Sequence, residues 1–102
     1  MLTKLDDSVG AVVDALRESN MLEDSVIVFT TDNGGPPDGF NLNAASNWPL
    51  RGGKNTLWEG GVKGVGVLWS PLLEKPKRVA NQLMHITDWL PTLYTVAGGD
   101  PR

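Results

Sequence analysis

Residues 25–31, SVIVFTT, run without a break into Asp32-Asn33-Gly34-Gly35, and the reading of this junction decides the fold. The run is short, continuous and rich in β-branched and aromatic side chains, the pattern of a strand covered on both faces in a parallel sheet. Asp32 and Asn33 then stand at the strand's carboxyl end. In open α/β sheets ligands bind at that edge, because helix N-termini and loops converge there. A carboxylate beside a carboxamide offers hard oxygen donors to a Ca²⁺-like cation, and the glycines behind them let the backbone turn sharply and come close. The same residues suit an ordinary turn after a strand, since Asp, Asn and Gly all favour turns, and spacing alone leaves both readings open. An EF-hand loop does not fit, because Pro36 occupies its third ligand position.

On the N-terminal side, Leu2, Leu5, Val9, Val12, Val13 and Leu16 recur at helical spacing with charged residues between them. That pattern predicts an amphipathic helix laid on a sheet, ended by Asn20 in the left-handed conformation. Gly10 falls inside the helix, where it costs about 1 kcal/mol relative to alanine, so close packing against a neighbour is the expected compensation. Asp6 and Asp7 are adjacent and point in different directions around the helix, which makes them a solvated face and not a metal pair. Residues 21–24 connect the helix to the strand, giving the second half of a βαβ crossover whose first strand the sequence does not contain.

On the C-terminal side, residues 34–47 (GGPPDGFNLNAASN) read as a long loop. Phe40 and Trp48 are either anchors packed on the body or sugar-facing aromatics. Next comes Pro49-Leu50-Arg51-Gly52-Gly53-Lys54. Lys54 is either a surface lysine in a glycine loop or an anion ligand: a compact ammonium suits one oxygen of a tetrahedral anion. At ~4 Å in a partly shielded site its attraction is on the order of 4 kcal/mol before desolvation is subtracted. A phosphate-cradling P-loop is set aside, since Trp48 stands where it needs glycine and Asn55 where it needs Ser or Thr. Arg51 and Glu59 are expected to pair and hold the loop.

Residues 62–69 (VKGVGVLW) alternate glycine with valine and predict a second strand. Residues 83–86 read as a short strand or strand end. Thr87 reads as an N-cap for a helix over 89–97 that Gly98-Gly99 terminates, with Pro91 tolerated in its first turn. His85 and Asp88 could suggest a metal or acid/base pair, but a histidine satisfied at a strand end before a capped helix is the favoured reading.

At 102 residues the sequence is bounded to one domain or a piece of one. Apolar residues at 40% and charged residues at 21% give a globular composition. A net charge of −3 leaves no basic footprint for nucleic acid. The chain has no cysteine, which excludes disulfides and thiol nucleophiles within it. No apolar run approaches the ~20 residues of a membrane span, and Met1 leads into an amphipathic pattern and not into a secretory signal.

Asp32-Asn33-Gly34-Gly35, Pro49-Leu50-Arg51-Gly52-Gly53-Lys54 and Trp58-Glu59-Gly60-Gly61-Val62, in that order, resemble the second half of a sulfatase catalytic domain. Further wording is similar to the arylsulfatase B group, the N-acetylgalactosamine-4-sulfatases and their close relatives: Asn47-Trp48-Pro49-Leu50-Arg51, Val62-Lys63-Gly64-Val65-Gly66, Ser70-Pro71-Leu72-Leu73, and His85-Ile86-Thr87-Asp88-Trp89-Leu90-Pro91-Thr92-Leu93. The resemblance implies an α/β fold, with residues 1–102 a partial catalytic domain without internal boundary, cut from an alkaline phosphatase-like, mainly parallel sheet flanked by helices. It implies calcium-dependent hydrolysis of sulfate esters, on sulfated sugars of glycosaminoglycans or on aryl sulfates, in a lysosomal or secretory setting.

By the same resemblance Asp32 and Asn33 give side-chain oxygens to one Ca²⁺ and Lys54 contacts the sulfate. The nucleophile, a formylglycine made from the cysteine of a Cys-x-Pro-x-Arg segment, is expected upstream, as are the catalytic histidines and the aspartates that complete the calcium site. The chain is therefore expected to be a truncated product or an excerpt, with the remainder of the sulfatase domain as its partner. Lys63 departs from the arginine usual in relatives, which weakens any bidentate carboxylate contact there. Two rivals remain: a truncated product without catalysis, and a phosphate-ester hydrolase of the same superfamily, which would want more zinc-binding histidines than the single His85.

Overall fold

A computed structural model describes residues 1–36 and 43–100. Phe40 lies outside the described residues, so its two readings are not decided.

Helix α1 spans Leu2–Glu18, as the apolar spacing predicts. It ends where Asn20 takes a φ of 55°, and the backbone N–H groups of Asn20 and Met21 return to the carbonyls of Arg17 and Leu16. The cap therefore satisfies carbonyls that the last turn would otherwise leave open. Asp7 pairs with Lys4 across one turn at 3.5 Å on the exposed face, the solvated role expected of it. Gly10 departs from expectation: no atom lies within 4 Å of where its Cβ would be, so among the described residues nothing packs against it.

A 3-10 turn, Leu22–Asp24, leads into strand β1, Ile27–Thr30. Strand β2 is Gly66–Trp69, and the pair is antiparallel, with Ile27 opposite Trp69 and Thr30 opposite Gly66. The mainly parallel sheet is thus not what the described residues form; their sheet has two antiparallel strands. An apolar run specifies a strand with covered faces, but the direction of its neighbour is set by how the intervening chain returns. Here the chain folds back on itself and re-enters alongside β1. Thr31 continues the pairing, with its N–H donating to the Val65 carbonyl at 3.0 Å and its hydroxyl accepting from the Val65 N–H at 2.9 Å.

The strand predicted over 62–69 starts later than expected because its first residue belongs to a single helical turn, α2, Glu59–Val62. Gly61 and Val62 N–H groups both donate to the Trp58 carbonyl, at 2.7 and 3.2 Å, closing that turn. Residues 83–86 form no strand. A 3-10 turn, Ile86–Asp88, instead leads into α3, Trp89–Val96. Thr87 does not cap α3, whose N-cap is Asp88, and His85 caps the 3-10 turn: the imidazole Nδ1 accepts from the Thr87 N–H, while the Asp88 carboxylate accepts from the His85 N–H at 2.7 Å. The two residues form a reciprocal capping box, the local satisfaction favoured from sequence. Gly98 at φ 88° ends α3.

No apolar side chain is buried among the described residues, and the buried positions are Gly53, Gly60, Gly61 and Ser70. The densest packing is therefore found in the glycine loops behind β1 and not between helices and sheet.

Candidate functional site

Three short segments meet just beyond the end of β1. The first is the turn at residues 32–35, the second the loop at 51–54, and the third the start of α2. Gly34 N–H donates to the Gly61 carbonyl at 2.9 Å, Gly60 N–H to the Arg51 carbonyl at 2.8 Å, and Lys54 N–H to the Gly35 carbonyl at 2.9 Å. Each segment is thus bonded, backbone to backbone, to both others. Such close approach leaves no room for side chains at the crossing points: a Cβ on Gly34 would run into the Gly60 carbonyl, and one on Gly60 into the carbonyls of Arg51 and Gly52. Close backbone approach is one of the uses that require glycine.

The loop at 51–54 is braced from within. Thr56 Oγ1 donates to the Gly53 carbonyl at 2.7 Å and accepts from the Gly53 N–H at 3.2 Å. Arg51 lays its guanidinium over the Trp58 ring at 3.6 Å, a cation–π contact. The expected pairing of Arg51 with Glu59 does not occur; Glu59 instead faces Lys63 at 3.8 Å. The Trp48–Pro49 peptide is cis, and Trp48 is exposed.

Of the cations in this region, Arg51 is stacked and Lys63 is paired, while Lys54 makes no ion pair among the described residues and is exposed. Asp32 likewise has no side-chain hydrogen bond or ion pair among the described residues. Asn33 donates its amide N–H to the Gly34 carbonyl at 2.7 Å, and its Oδ1 accepts no hydrogen bond among the described residues. One carboxylate and one amide oxygen are the donor chemistry a hard cation takes. They are only part of a shell: among the described residues no group of three or more His, Cys, Asp or Glu gathers to hold a metal. Asp32 also borders a shallow cleft with Thr31, Val65, His85 and Trp89, which neither Asn33 nor Lys54 lines.

The backbone therefore brings Lys54 to the turn that carries Asp32 and Asn33, although a long loop separates them in sequence. Against this geometry, the family model described as Sulfatase matches residues 1–99. The chain belongs to the sulfatase family.

Among its relatives are arylsulfatase J of Mus musculus, 46% identical over 99 residues, which cover 97% of this chain and 16% of that protein. Arylsulfatase A of Homo sapiens is 35% identical over 98 residues, covering 95% of this chain and 19% of its own length. The N-acetylgalactosamine-6-sulfatase of Homo sapiens is 31% identical over 98 residues, with 96% of this chain and 19% of that protein covered. The chain thus spans less than a fifth of the length of these sulfatases.

One site residue had no role assigned from sequence. Asn47 sits in a loop where asparagine reads as turn chemistry, yet its carboxamide accepts from the Gly35 N–H at 2.8 Å and donates to the carbonyls of Gly35 at 2.9 Å and Gly52 at 3.2 Å. The only local hint was its place directly before Trp48-Pro49-Leu50-Arg51.

Proposed function

We propose that these residues are the part of a sulfate ester hydrolase that supplies two oxygen ligands to a calcium ion and one ammonium to the sulfate. Asp32 and the Oδ1 of Asn33 are the calcium ligands, and Lys54 is the sulfate ligand. What supports the reading is the hydrogen bond from the Lys54 N–H to the Gly35 carbonyl at 2.9 Å, which ties the lysine's backbone to the turn bearing the other two. A dianion-like transition state needs positive charge held in advance where negative charge gathers, and preorganised charge of this kind is commonly the largest single contribution to rate.

Calcium takes about 6–8 oxygen ligands, so the remainder of the parent domain completes the shell. Bound calcium would supply charge neutralisation at the sulfate, and a formylglycine elsewhere in the parent would supply the nucleophile that this cysteine-free chain lacks. The parent fold is alkaline phosphatase-like, with β1 and β2 as an antiparallel pair in a larger mixed sheet, a common arrangement in wide α/β sheets. The substrate is a sulfated N-acetylgalactosamine of glycosaminoglycans. Wording similar to the arylsulfatase B group supports it, and so does the N-acetylgalactosamine-6-sulfatase among the relatives. Such a substrate fits a lysosomal or secretory enzyme.

The test is Lys54→Ala in the full-length protein, assayed on a chromogenic aryl sulfate with calcium present. Turnover, read as kcat/KM, is expected to fall on the order of 10²-fold, the usual cost of removing one preorganised charge-stabilising group. In parallel, Asp32→Ala should raise the calcium concentration needed for half-maximal activity. Unchanged turnover in Lys54→Ala overturns the reading.

A further inference from the structure

We infer that Asn47 is a positioning residue for this site, a carboxamide clasp that fixes where Lys54 stands relative to Asp32 and Asn33. The inference rests on the reading of Lys54 given above and adds the residue through which that lysine is placed.

The clasp follows from what one carboxamide can offer: an oxygen that accepts and an NH₂ that donates twice. Asn47 uses all three. Its Oδ1 takes the Gly35 N–H, and its Nδ2 gives one bond to the Gly35 carbonyl and one to the Gly52 carbonyl. Both backbone polar groups of Gly35 are therefore held by a single side chain. The Gly35 carbonyl is also the acceptor for the Lys54 N–H. Asn47 and Lys54 thus share one oxygen, and Asn47 holds in addition the residue two positions before that lysine.

No other side chain repeats this set. Aspartate keeps the acceptor but turns a second oxygen toward two carbonyls, alanine offers nothing, and glutamine is a methylene too long. Of the other backbone bonds across the same junction, Gly60 to Arg51 holds the loop at its start, and Gly34 to Gly61 joins the other two segments without touching the loop. With Asn47 removed, the Lys54 end of the loop keeps one backbone bond to the turn, from the Lys54 N–H to the Gly35 carbonyl. The half-buried setting of Asn47 makes the loss matter, since water does not freely replace bonds there.

A double-mutant cycle of Asn47→Ala and Lys54→Ala in the full-length protein tests the clasp, because coupling between two residues is what such a cycle isolates. Each variant is read for kcat and KM on an aryl sulfate and for the inhibition constant of inorganic sulfate, per folded molecule. Asn47→Ala alone is expected to raise KM and the sulfate inhibition constant about 10-fold at a matched folded fraction, whereas simple loss of folded protein lowers kcat and leaves both constants alone. In the Lys54→Ala background the same change is expected to cost less than about 2-fold, because the group it positions is gone. If Asn47→Ala does not fold, Asn47→Asp takes its place in the cycle. Direct repulsion of sulfate by the new carboxylate would persist without Lys54, so only an effect acting through Lys54 disappears there.

Equal losses in both backgrounds, or an Asn47 variant with wild-type constants, overturn the clasp while Lys54→Ala still slows turnover. Should Lys54→Ala itself leave turnover unchanged, the sulfate-ligand reading falls, and the clasp with it.

Discussion

The loops behind β1 and the helices at either end of the chain are held by opposite means. In the loops, contact is polar and runs backbone to backbone: carbonyls and N–H groups of Gly34, Gly35, Arg51, Lys54, Gly60 and Gly61 meet directly, and three of the buried residues lie there. The helices carry their stability in apolar faces, and those faces are uncovered. Leu2 is 82% exposed on α1 and Leu90 79% exposed on α3. The radius of gyration, 16.4 Å, exceeds the about 13 Å of a compact domain of this size. The loop cluster has its hydrogen-bond partners within these residues, whereas an amphipathic helix is stable chiefly when something covers its apolar side. The candidate chemistry therefore sits where the chain meets itself through backbone hydrogen bonds, and the helices around it depend on contacts that the described residues do not supply.

The strongest way to break that contrast is to make residues 1–102 alone. With no buried apolar side chain among the described residues, the expected outcome is a broad, non-cooperative thermal transition with association through the exposed apolar faces. Turnover of an aryl sulfate is expected to be indistinguishable from buffer, since the formylglycine proposed as nucleophile is made from a cysteine and these residues contain none. A sharp transition in a soluble monomer would remove the contrast. Activity that survives repurification would place a nucleophile within this segment.

Next in size is Gly60→Ala in the full-length protein. The new methyl would meet the Arg51 and Gly52 carbonyls, backbone atoms that cannot swing aside as a side chain would. Overpacking of this kind costs about 1–3 kcal/mol, and the upper end is expected here because the Gly60–Arg51 bond is displaced as well. The thermal midpoint should fall, and turnover with it, since the Lys54 loop is carried on the same junction. A midpoint equal to wild type would mean that the three segments are not in register as described.

How much of this was legible beforehand follows the same division. The first helix could be read to within a residue or two because Leu2, Leu5, Val9, Val12, Val13 and Leu16 announce one face, and Asn20 announces its end. The turn after β1 was legible too, from Asp32 to Gly35. What could not be read was anything set by a distant partner. The run before Asp32 gave a strand but not its neighbour, Gly66–Trp69, which approaches antiparallel after the whole loop region has intervened. Asn47 was opaque for the same reason, because its partner Gly35 lies across the loop. Thr87 reads as the cap because a capping box is ordinarily read from Ser or Thr, whereas an imidazole nitrogen of His85 fills that role for the 3-10 turn. Family resemblance supplied roles for Asp32, Asn33 and Lys54 that spacing alone left open.

The smallest expected effect sharpens the contrast by reversing its sign. Gly10→Ala is the same chemical change as Gly60→Ala, made in α1 where no atom lies within 4 Å of the new methyl. Nothing is displaced, so only the backbone term remains: alanine restricts the unfolded chain and favours the helix, together worth about 0.5–1 kcal/mol of added stability. Chemical denaturation of the full-length protein should therefore show a small rise in midpoint for Gly10→Ala beside the fall for Gly60→Ala. Turnover should be unchanged, since α1 carries none of the proposed ligands. A loss of stability at Gly10 would show that another part of the parent packs backbone-close against α1. It would restore the close neighbour that a glycine inside an amphipathic helix first suggested. The contrast would then narrow to one between local and distant partners, with glycine serving close approach in both.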